Sequence, residues 1–309
     1  MLEPHCRGVD EPGRQIVTVT TRTGEEMTGI TIRRMTASDI AGADLLIRPQ
    51  NWNQTDEDWQ RFLALEPHGC FVAVADGRVV ATTTTEVFSR VGWIGMVTVA
   101  PELRGRGLGR MMVARAIAYL REAGARAVKL DATPMGKPLY SHMGFEPEYG
   151  IQRYMLDATP RPYRNVTPYD GQLALWDEVL RLDRAAYRVD RSRMLRRLAG
   201  GWPELAAVHE NGGQVDGYVL GRHGVLYEHI GPLVARSDEA ASALFNWALS
   251  LAAGRTVILD CPRPNDAAVA MAERSSGQPL REFTRMHLGL EPYLDDPRLI
   301  FATSGAEKG

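Results

Sequence analysis

Three short stretches recur along this chain in the same order: "WIGMVTVA" returns as "EHIGPLVA", "VKLDATP" as "VILDCPR", and "IQRYML" as "FTRMHL". Ordered repetition of strand-like anchors restricts the fold to two copies of one unit, and the 309 residues are about twice the length of a compact domain. The offsets show where the copies differ. Ile94 to Ile230 and Gly95 to Gly231 are 136 residues apart, but Asp131 to Asp260 only 129, so about seven residues are missing from the second copy between the first two anchors. In the first copy that segment holds "RGRGLG"; in the second it is "RSDEA".

Periodicity gives each copy a mixed content of helices and strands. "ITIRRM" reads as a strand, Thr36 and Asp39 as an acidic capping box opening a helix, and Thr55 as the cap of a second helix with Trp59, Phe62 and Leu63 on one face. "CFVAVA", "GRVVATTTTEVF" and "VGWIGMVTVA", separated by "DG" and "SRVG", predict antiparallel strands joined by short turns. Leu108, Met112, Val113, Ala116, Ile117 and Leu120 then fall at helical spacing, with Gly124 as the stop. "AVKLDAT" is a strand, "PMGKPLYSHM" a short helix and "GFEPEYGIQRYML" a turn and final strand. The proline-rich "TPRPYRNVTPYDG" is the linker candidate, followed by two helices, three strands, and then helix, strand, helix and strand. The expected architecture is α/β with two domains, each a mixed, mostly antiparallel sheet flanked by helices. The expected divisions are an N-terminal extension over 1–28, a loose segment or an added edge strand, then domains over 29–158 and 159–309.

Composition excludes several classes. Hydrophobic residues make up 44% and charged residues 24%, as in ordinary globular chains, and a net charge of −2 offers no broad basic face for nucleic acid or an anionic membrane. Cys6, Cys70 and Cys261 are too few and too scattered for a disulfide scaffold or a metal site. "MLEPHCRGVDEPG" lacks the apolar core of a secretory signal, and no apolar run reaches the 18 or so residues of a membrane span. The expectation is a cytoplasmic protein that uses no metal and partners neither nucleic acid nor membrane, with a homodimer left open.

Any anion site must therefore be local, and "PELRGRGLGRMM" (101–112) supplies one. A strand running through glycines into a helix gathers unpaired N–H groups and the positive end of the helix dipole at one point. Gly105, Gly107 and Gly109 permit positive φ and close approach of an anion, while Arg104, Arg106 and Arg110 add charge; from Arg104 to Arg126 six arginines face the single acid Glu122. The spacing matches neither the dinucleotide G-x-G-x-x-G nor the triphosphate loop G-x-x-x-x-G-K-[ST]. By itself it is compatible with a phosphate cradle or with a tight turn before a solvated helix.

With those residues in order, the chain resembles the GNAT superfamily of N-acetyltransferases, whose signature Gln/Arg-x-x-Gly-x-Gly/Ala is met by Arg104, Gly107 and Gly109, and whose "LYEKLGF" element is similar to "LYSHMGF" through Leu139, Tyr140, Gly144 and Phe145. The resemblance covers residues 30–156. It implies acetyl-CoA as acyl donor, with the pyrophosphate held by Arg104, Gly105, Arg106, Gly107, Leu108, Gly109 and Arg110 and the pantetheine arm paired along Val97, Thr98 and Val99. It also implies Tyr140 as the acid that protonates the departing thiolate, with ring packing under the loop as the alternative. The family's Asn and Ala at seven and four residues before that tyrosine are Thr133 and Gly136 here; Thr133 retains hydrogen-bonding capacity toward the donor. No base stands out. Glu86 could accept the proton directly or through water, or be a solvated surface carboxylate; the echo of Asp131 at Asp260 argues for a structural role there. Trp52, Asn53 and Gln54 occupy the region that lines the acceptor site in this family, or pack as a helix cap.

The second copy resembles a degenerate GNAT domain: Asn265 and Ala268 keep their spacing, yet Ala272 stands where the tyrosine would be and the phosphate loop is absent. The resemblance as a whole implies a tandem GNAT protein that transfers an acetyl group to a primary amine of a small molecule. Alternatives are a protein or peptide amine as acceptor, or an acyl-CoA sensor without turnover.

Overall fold

The computed structural model describes residues 15–20, 26–169, 175–289 and 295–309. Residues 1–14 and 21–25 of the expected extension, and 172–174 at the expected start of a helix, lie outside the described residues. The chain forms two compact units, Met1–Val128 and Lys129–Gly309.

The first unit contains β1 (Gln15–Thr20), β2 (Glu26–Arg34), α1 (Ile40–Ile47), α2 (Asp56–Leu65), β3 (Phe71–Ala75), β4 (Arg78–Phe88), β5 (Val91–Val99) and α3 (Leu108–Glu122). Its strands run antiparallel in the order β1-β2-β3-β4-β5. β1 is thus an edge strand, and β2 begins inside the stretch expected as extension. The two-residue β3–β4 turn is Asp76-Gly77, both at positive φ as a tight hairpin requires. Side chains alternate across the sheet, and both faces are covered. Phe71, Ala73 and Ala75 pack with Leu103, Leu108 and Met112, whereas Cys70 and Val72 pack with Ile47, Trp59 and Phe62. Coverage of both faces is why "CFVAVA" is continuously apolar although its neighbours are antiparallel. α2 starts as expected: Thr55 Oγ1 accepts from Asp58 N–H at 3.3 Å and Asp58 Oδ2 accepts from Thr55 N–H at 3.0 Å.

β6 (Ala127–Ala132) straddles the division. The second unit continues with α4 (Lys137–His142), β7 (Glu146–Asp157), β8 (Val166–Pro168), α5 (Trp176–Tyr187), α6 (Ser192–Gly201), β9 (Ala207–Asn211), β10 (Gln214–Arg222) and β11 (Glu228–Ala235). Then come α7 (Asp238–Leu251), β12 (Thr256–Pro262), α8 (Asp266–Arg274), β13 (Gln278–Leu288) and β14 (Ile300–Ala302). The strand order is β6-β13-β7-β12-β11-β10-β9-β8, with β14 beside β11. β13, the last long strand of the second repeat, lies between β6 and β7 of the first, and β7 pairs antiparallel with both β13 and β12. The repeats exchange their final strands. For this reason the compact unit begins at Lys129 and not at the linker. The linker itself is held down: β8 pairs with β9, and Arg161 donates its backbone N–H to Ser250 Oγ at 3.0 Å.

Exchange is locked by two reciprocal ion pairs. Arg153 of β7 grips Asp260 of β12 through two bonds of 2.6 and 2.7 Å, and Arg285 of β13 grips Asp131 of β6 through two of 2.9 and 3.0 Å. Arg153 and Arg285 are the arginines of "IQRYML" and "FTRMHL"; Asp131 and Asp260 are the aspartates of the other matching anchor. Arg285 further bonds the Tyr149 hydroxyl and Asp295, and Lys129 joins Asp295 to Glu148. The structure therefore gives Asp131 a structural position.

The described residues contain no helix long and apolar enough to cross a membrane, and no group of three or more His, Cys, Asp or Glu side chains that could hold a metal ion.

Removing one partner of a buried pair strands the other's charge, at a cost of about 3–5 kcal/mol. Arg153→Leu is expected to lose about that much in denaturant unfolding, and Arg153→Leu with Asp260→Leu to recover a large part; single-variant losses below about 1 kcal/mol would refute the lock. A pH effect follows from His229, buried and pushed down to about 3 by burial first and the nearby Arg222 guanidinium second. A base depressed on folding contributes stability that is whole above its ordinary value of 6.5 and drains as pH falls toward 3, because the unfolded chain takes the proton first. His229→Gln should therefore destabilise more at pH 7 than at pH 4.5; an equal loss at both would contradict the assignment.

Candidate functional site

After β5 the chain makes a single turn at Pro101–Leu103 and then passes through Gly105 and Gly107, at φ of 76° and 83°. These two glycines take the left-handed conformation that other residues resist. Gly109 does not, since it lies inside α3; what it contributes is a bare first turn. Gly107 is the N-cap, so no side chain caps the helix, and the first turn of α3 carries no acid. The bond from Met111 N–H to Gly107 O, at 3.0 Å, marks the start of the helical ladder, with the amides of Leu108, Gly109 and Arg110 ahead of it. A Cβ built on Gly107 would meet nothing within 4 Å, so the space over the loop is open. Arg104, Arg106 and Arg110 belong to the same stretch, Arg104 and Arg106 half-buried and Arg110 exposed. Bare backbone at a helix N-terminus with arginines in the same stretch has the chemistry an anion cradle requires.

β5 enters this loop with a bulge. The register with β4 slips between Thr82 and Thr84, and Met96 takes φ of 50°. Beyond the bulge Thr98 faces Thr82, and Ala100 N–H bonds Val80 O at 2.8 Å. Alternation along an antiparallel pair then turns the backbone groups of Val97 and Val99 toward the edge away from β4. Val99 O accepts Arg104 Nε there at 2.9 Å, which orders the loop against the strand. Thr98 differs from its neighbours: its hydroxyl accepts Gln50 Nε2 at 2.6 Å, tying β5 to the turn after α1.

In the second unit Thr133 and Tyr140 are brought together through α4. Thr133 Oγ1 accepts from Gly136 N–H at 3.1 Å, opening the turn that presents the tyrosine. A Cβ at Gly136 would lie 3.2 Å from Tyr140 Cε2 and 3.3 Å from Thr133 Oγ1, so the ring and the hydroxyl fill the space alanine would need. Tyr140 is buried, packs edge-on against Phe145 with centroids 5.8 Å apart, and has its hydroxyl pushed well above its ordinary value by burial. It stays protonated at neutral pH, the state a proton donor needs.

Glu86 is 4% exposed, so the surface-carboxylate alternative fails. It lies on β4 opposite Trp93, near Cys70, whose thiol is pushed up to about 12 by burial first and by the Glu66 and Glu86 carboxylates in addition. Glu66 is a second buried carboxylate that the sequence did not single out; it accepts Tyr119 OH at 2.7 Å and Val87 N–H at 3.3 Å. No sequence signal marks it, because it stands just past the apolar face of α2 where a solvated acid is ordinary. No sequence signal marks Gln50 either, since a glutamine in the turn after α1 is ordinary. Trp52 is half-buried, whereas Asn53 and Gln54 are buried, and Gln54 Oε1 has no hydrogen-bond donor among the described residues.

The matching positions of the second repeat are built differently. Only residues 236 and 237 separate β11 from α7, and Ser237 Oγ caps that helix at Ala240 N–H, 3.2 Å, with Asp238 and Glu239 in its first turn. Its positive end is satisfied by its own chain. Asn265 caps α8 at Ala268 N–H, 3.0 Å, and Ala272 is buried where the tyrosine would stand.

Comparisons with known proteins agree with this division into repeats. A model described as the acetyltransferase (GNAT) family matches residues 41–145, and one described as an acetyltransferase (GNAT) domain matches 179–302, together about three quarters of the chain. The uncharacterized N-acetyltransferase YitH of Bacillus subtilis is 30% identical over 184 residues, 58% of this chain and 62% of that protein. A mycothiol acetyltransferase of Pseudarthrobacter chlorophenolicus is 38% identical over 101 residues, 29% of each. The chain thus spans less than two thirds of the length of these curated relatives. Among solved structures, a Pyrococcus horikoshii protein shares the fold at a TM-score of 0.78 with 24% identity, over 91% of this chain and 96% of that one. A tandem GNAT protein from the clavulanic acid biosynthesis pathway does so at 0.57 with 16% identity, over 85% and 99%.

Because Gly107 is left-handed in open space, Gly107→Ala should cost about 1–2 kcal/mol through backbone strain alone, seen as a lower Tm, whereas Gly109→Ala, inside the helix, should not lower it. Equal losses at both would contradict the loop geometry.

Proposed function

Since this chain belongs to the GNAT superfamily of acetyltransferases, we propose that it is an acetyl-CoA-dependent N-acetyltransferase that acylates a primary amine of a small molecule from its first repeat. The observation that carries this proposal is the start of α3, a helix end with neither cap nor acid, set among glycines and arginines, where the matching helix of the second repeat has both. The donor fits these residues: the amides of Gly105 to Arg110 and the guanidiniums of Arg104, Arg106 and Arg110 would hold its pyrophosphate, and the outward backbone groups of Val97 and Val99 its pantetheine arm. Thr98 serves by anchoring β5 to Gln50, and Thr133 by shaping the turn before Tyr140.

Acetyl-CoA supplies an activated thioester carbonyl; the amine nitrogen forms the new C–N bond as the C–S bond breaks. The protein's part is positioning and proton transfer. Tyr140 gives its phenolic proton to the leaving sulfur, and Glu86 takes the proton lost by the amine, directly or through water. Gln54 Oε1, buried and in want of a donor, suits an N–H or O–H of an enclosed acceptor, which favours a small amine over an extended peptide. Trp52 and Asn53 would flank it. The buried free thiols Cys70 and Cys261 suit a reducing cytoplasm.

The test is release of CoA, followed with a thiol-reactive dye, from acetyl-CoA and a panel of polyamines, amino acids, amino sugars, aminoglycosides and peptides. Turnover is expected on a small amine. Tyr140→Phe should lower kcat about 100-fold or more while acetyl-CoA still raises the Tm, and Gly107→Trp should lose both. Turnover on peptides only would move the acceptor class to proteins. Binding without turnover on any member, or indifference to Tyr140→Phe, would replace the enzyme with an acyl-CoA sensor.

A further inference from the structure

In the second repeat, β11 and β12 run parallel and pair only at Glu228–Val257 and His229–Ile258. Beyond that point another piece of the chain takes the place beside β11. β14 pairs antiparallel with it, Ile300 opposite Val234 and Ala302 opposite Leu233, and Thr303 N–H bonds Asp260 O of β12 at 2.9 Å. Under the 136-residue offset of the first anchor, Leu233 and Val234 match Val97 and Thr98. The strand therefore lies on the same stretch of backbone that, in the first repeat, is assigned to the pantetheine arm.

The surroundings are shaped to this segment. Asn265 Nδ2 donates to the carbonyls of Pro297, Arg298 and Ile300 at 3.1, 3.3 and 3.0 Å, while its Oδ1 caps α8. Gly231 admits no side chain, since a Cβ there would stand 2.1 Å from Thr303 O. Further along, Arg222 bonds Glu307 at 3.2 Å, and Arg191 bonds Ser304 Oγ at 3.0 Å and Gly309 O at 2.6 Å. Of residues 300–309 only Ala306 is even half-buried; the rest are buried, including Glu307 and Lys308. A charged decapeptide segment is rarely enclosed so fully unless the groove around it offers matched partners.

We propose that residues 300–309 are the standing occupant of the second repeat's acyl-CoA cleft, a peptide that takes the place of the pantetheine arm by strand addition and closes that repeat to the donor. The identification of the cleft rests on the proposed acetyl-CoA site of the first repeat. The chain then has one donor site, and the second repeat has become a peptide-holding groove whose specificity comes from Asn265, Arg222 and Arg191.

Two measurements on the full chain test this. Hydrogen exchange should show the amides of 300–303 protected like those of β11. Asn265→Asp, which keeps the helix cap but turns the donor of three bonds into a repelling oxygen, should speed exchange of 300–309 at least tenfold and let a labelled synthetic peptide of residues 297–309 bind, as it does not to the parent. Should Asn265→Asp fail to fold, Glu307→Gln provides the same comparison for 304–309. In parallel, calorimetry should count one acetyl-CoA per parent chain and none for Gly107→Trp. Exchange of 300–303 as fast as in the free peptide, or one acetyl-CoA still bound by Gly107→Trp, would overturn the proposal. No acetyl-CoA on the parent chain would instead remove the donor site of the first repeat, and with it the identification of the cleft, while exchange and peptide capture would still report on the groove.

Discussion

The reciprocal grip of Arg153 on Asp260 and of Arg285 on Asp131 is the constraint on which the second compact unit depends. The four side chains are at most 11% exposed, so no charge among them can be left alone, and each pair joins an arginine from one repeat to an aspartate from the other. A repeat that kept its own last strand would leave β7 beside β6 and break the contact between β7 and β12. The exchanged order satisfies both pairs at once. Duplication alone would have allowed two separate domains; the exchange makes the end of the first repeat part of the second unit.

Within that frame the repeats diverge by what stands at one helix end. α3 begins bare, after glycines, with arginines around it; α7 begins with a serine cap and two acids. An uncapped positive end is a cost that an anionic ligand can offset, and a self-capped one has no such need. The seven missing residues therefore do more than shorten a loop. They remove the backbone that could approach a phosphate and bring acids into the place where it would sit. The matching backbone of β11 is then open for pairing, and β14 takes it.

The candidate catalytic groups follow the same logic of local packing. Tyr140 is held by a turn that Thr133 opens and that Gly136 leaves room for, so the departure from the family's Asn and Ala is internally consistent. Glu86 and Glu66 both lie beside Cys70 in the interior of the first unit, where burial raises the thiol and keeps it unreactive.

The sequence by itself determined the repeats, the helices and most strands, the glycine loop and the loss of that loop in the second copy. These are local: periods of two and 3.6, caps such as Thr55, and the offsets between anchors are all written in neighbouring residues. Only the tertiary structure decided the strand exchange, because "IQRYML" and "FTRMHL" are so alike that either could complete either repeat; the choice lies in which buried aspartate each arginine meets. It also decided that Glu86 and Glu66 are interior, that Gly109 is helical, that Thr98 turns to Gln50, and that β14 pairs with β11. Such pairings reach far along the chain, 35 residues for Asn265 with Ile300 and 154 for Arg285 with Asp131, where burial and charge pairing override what the local pattern can express.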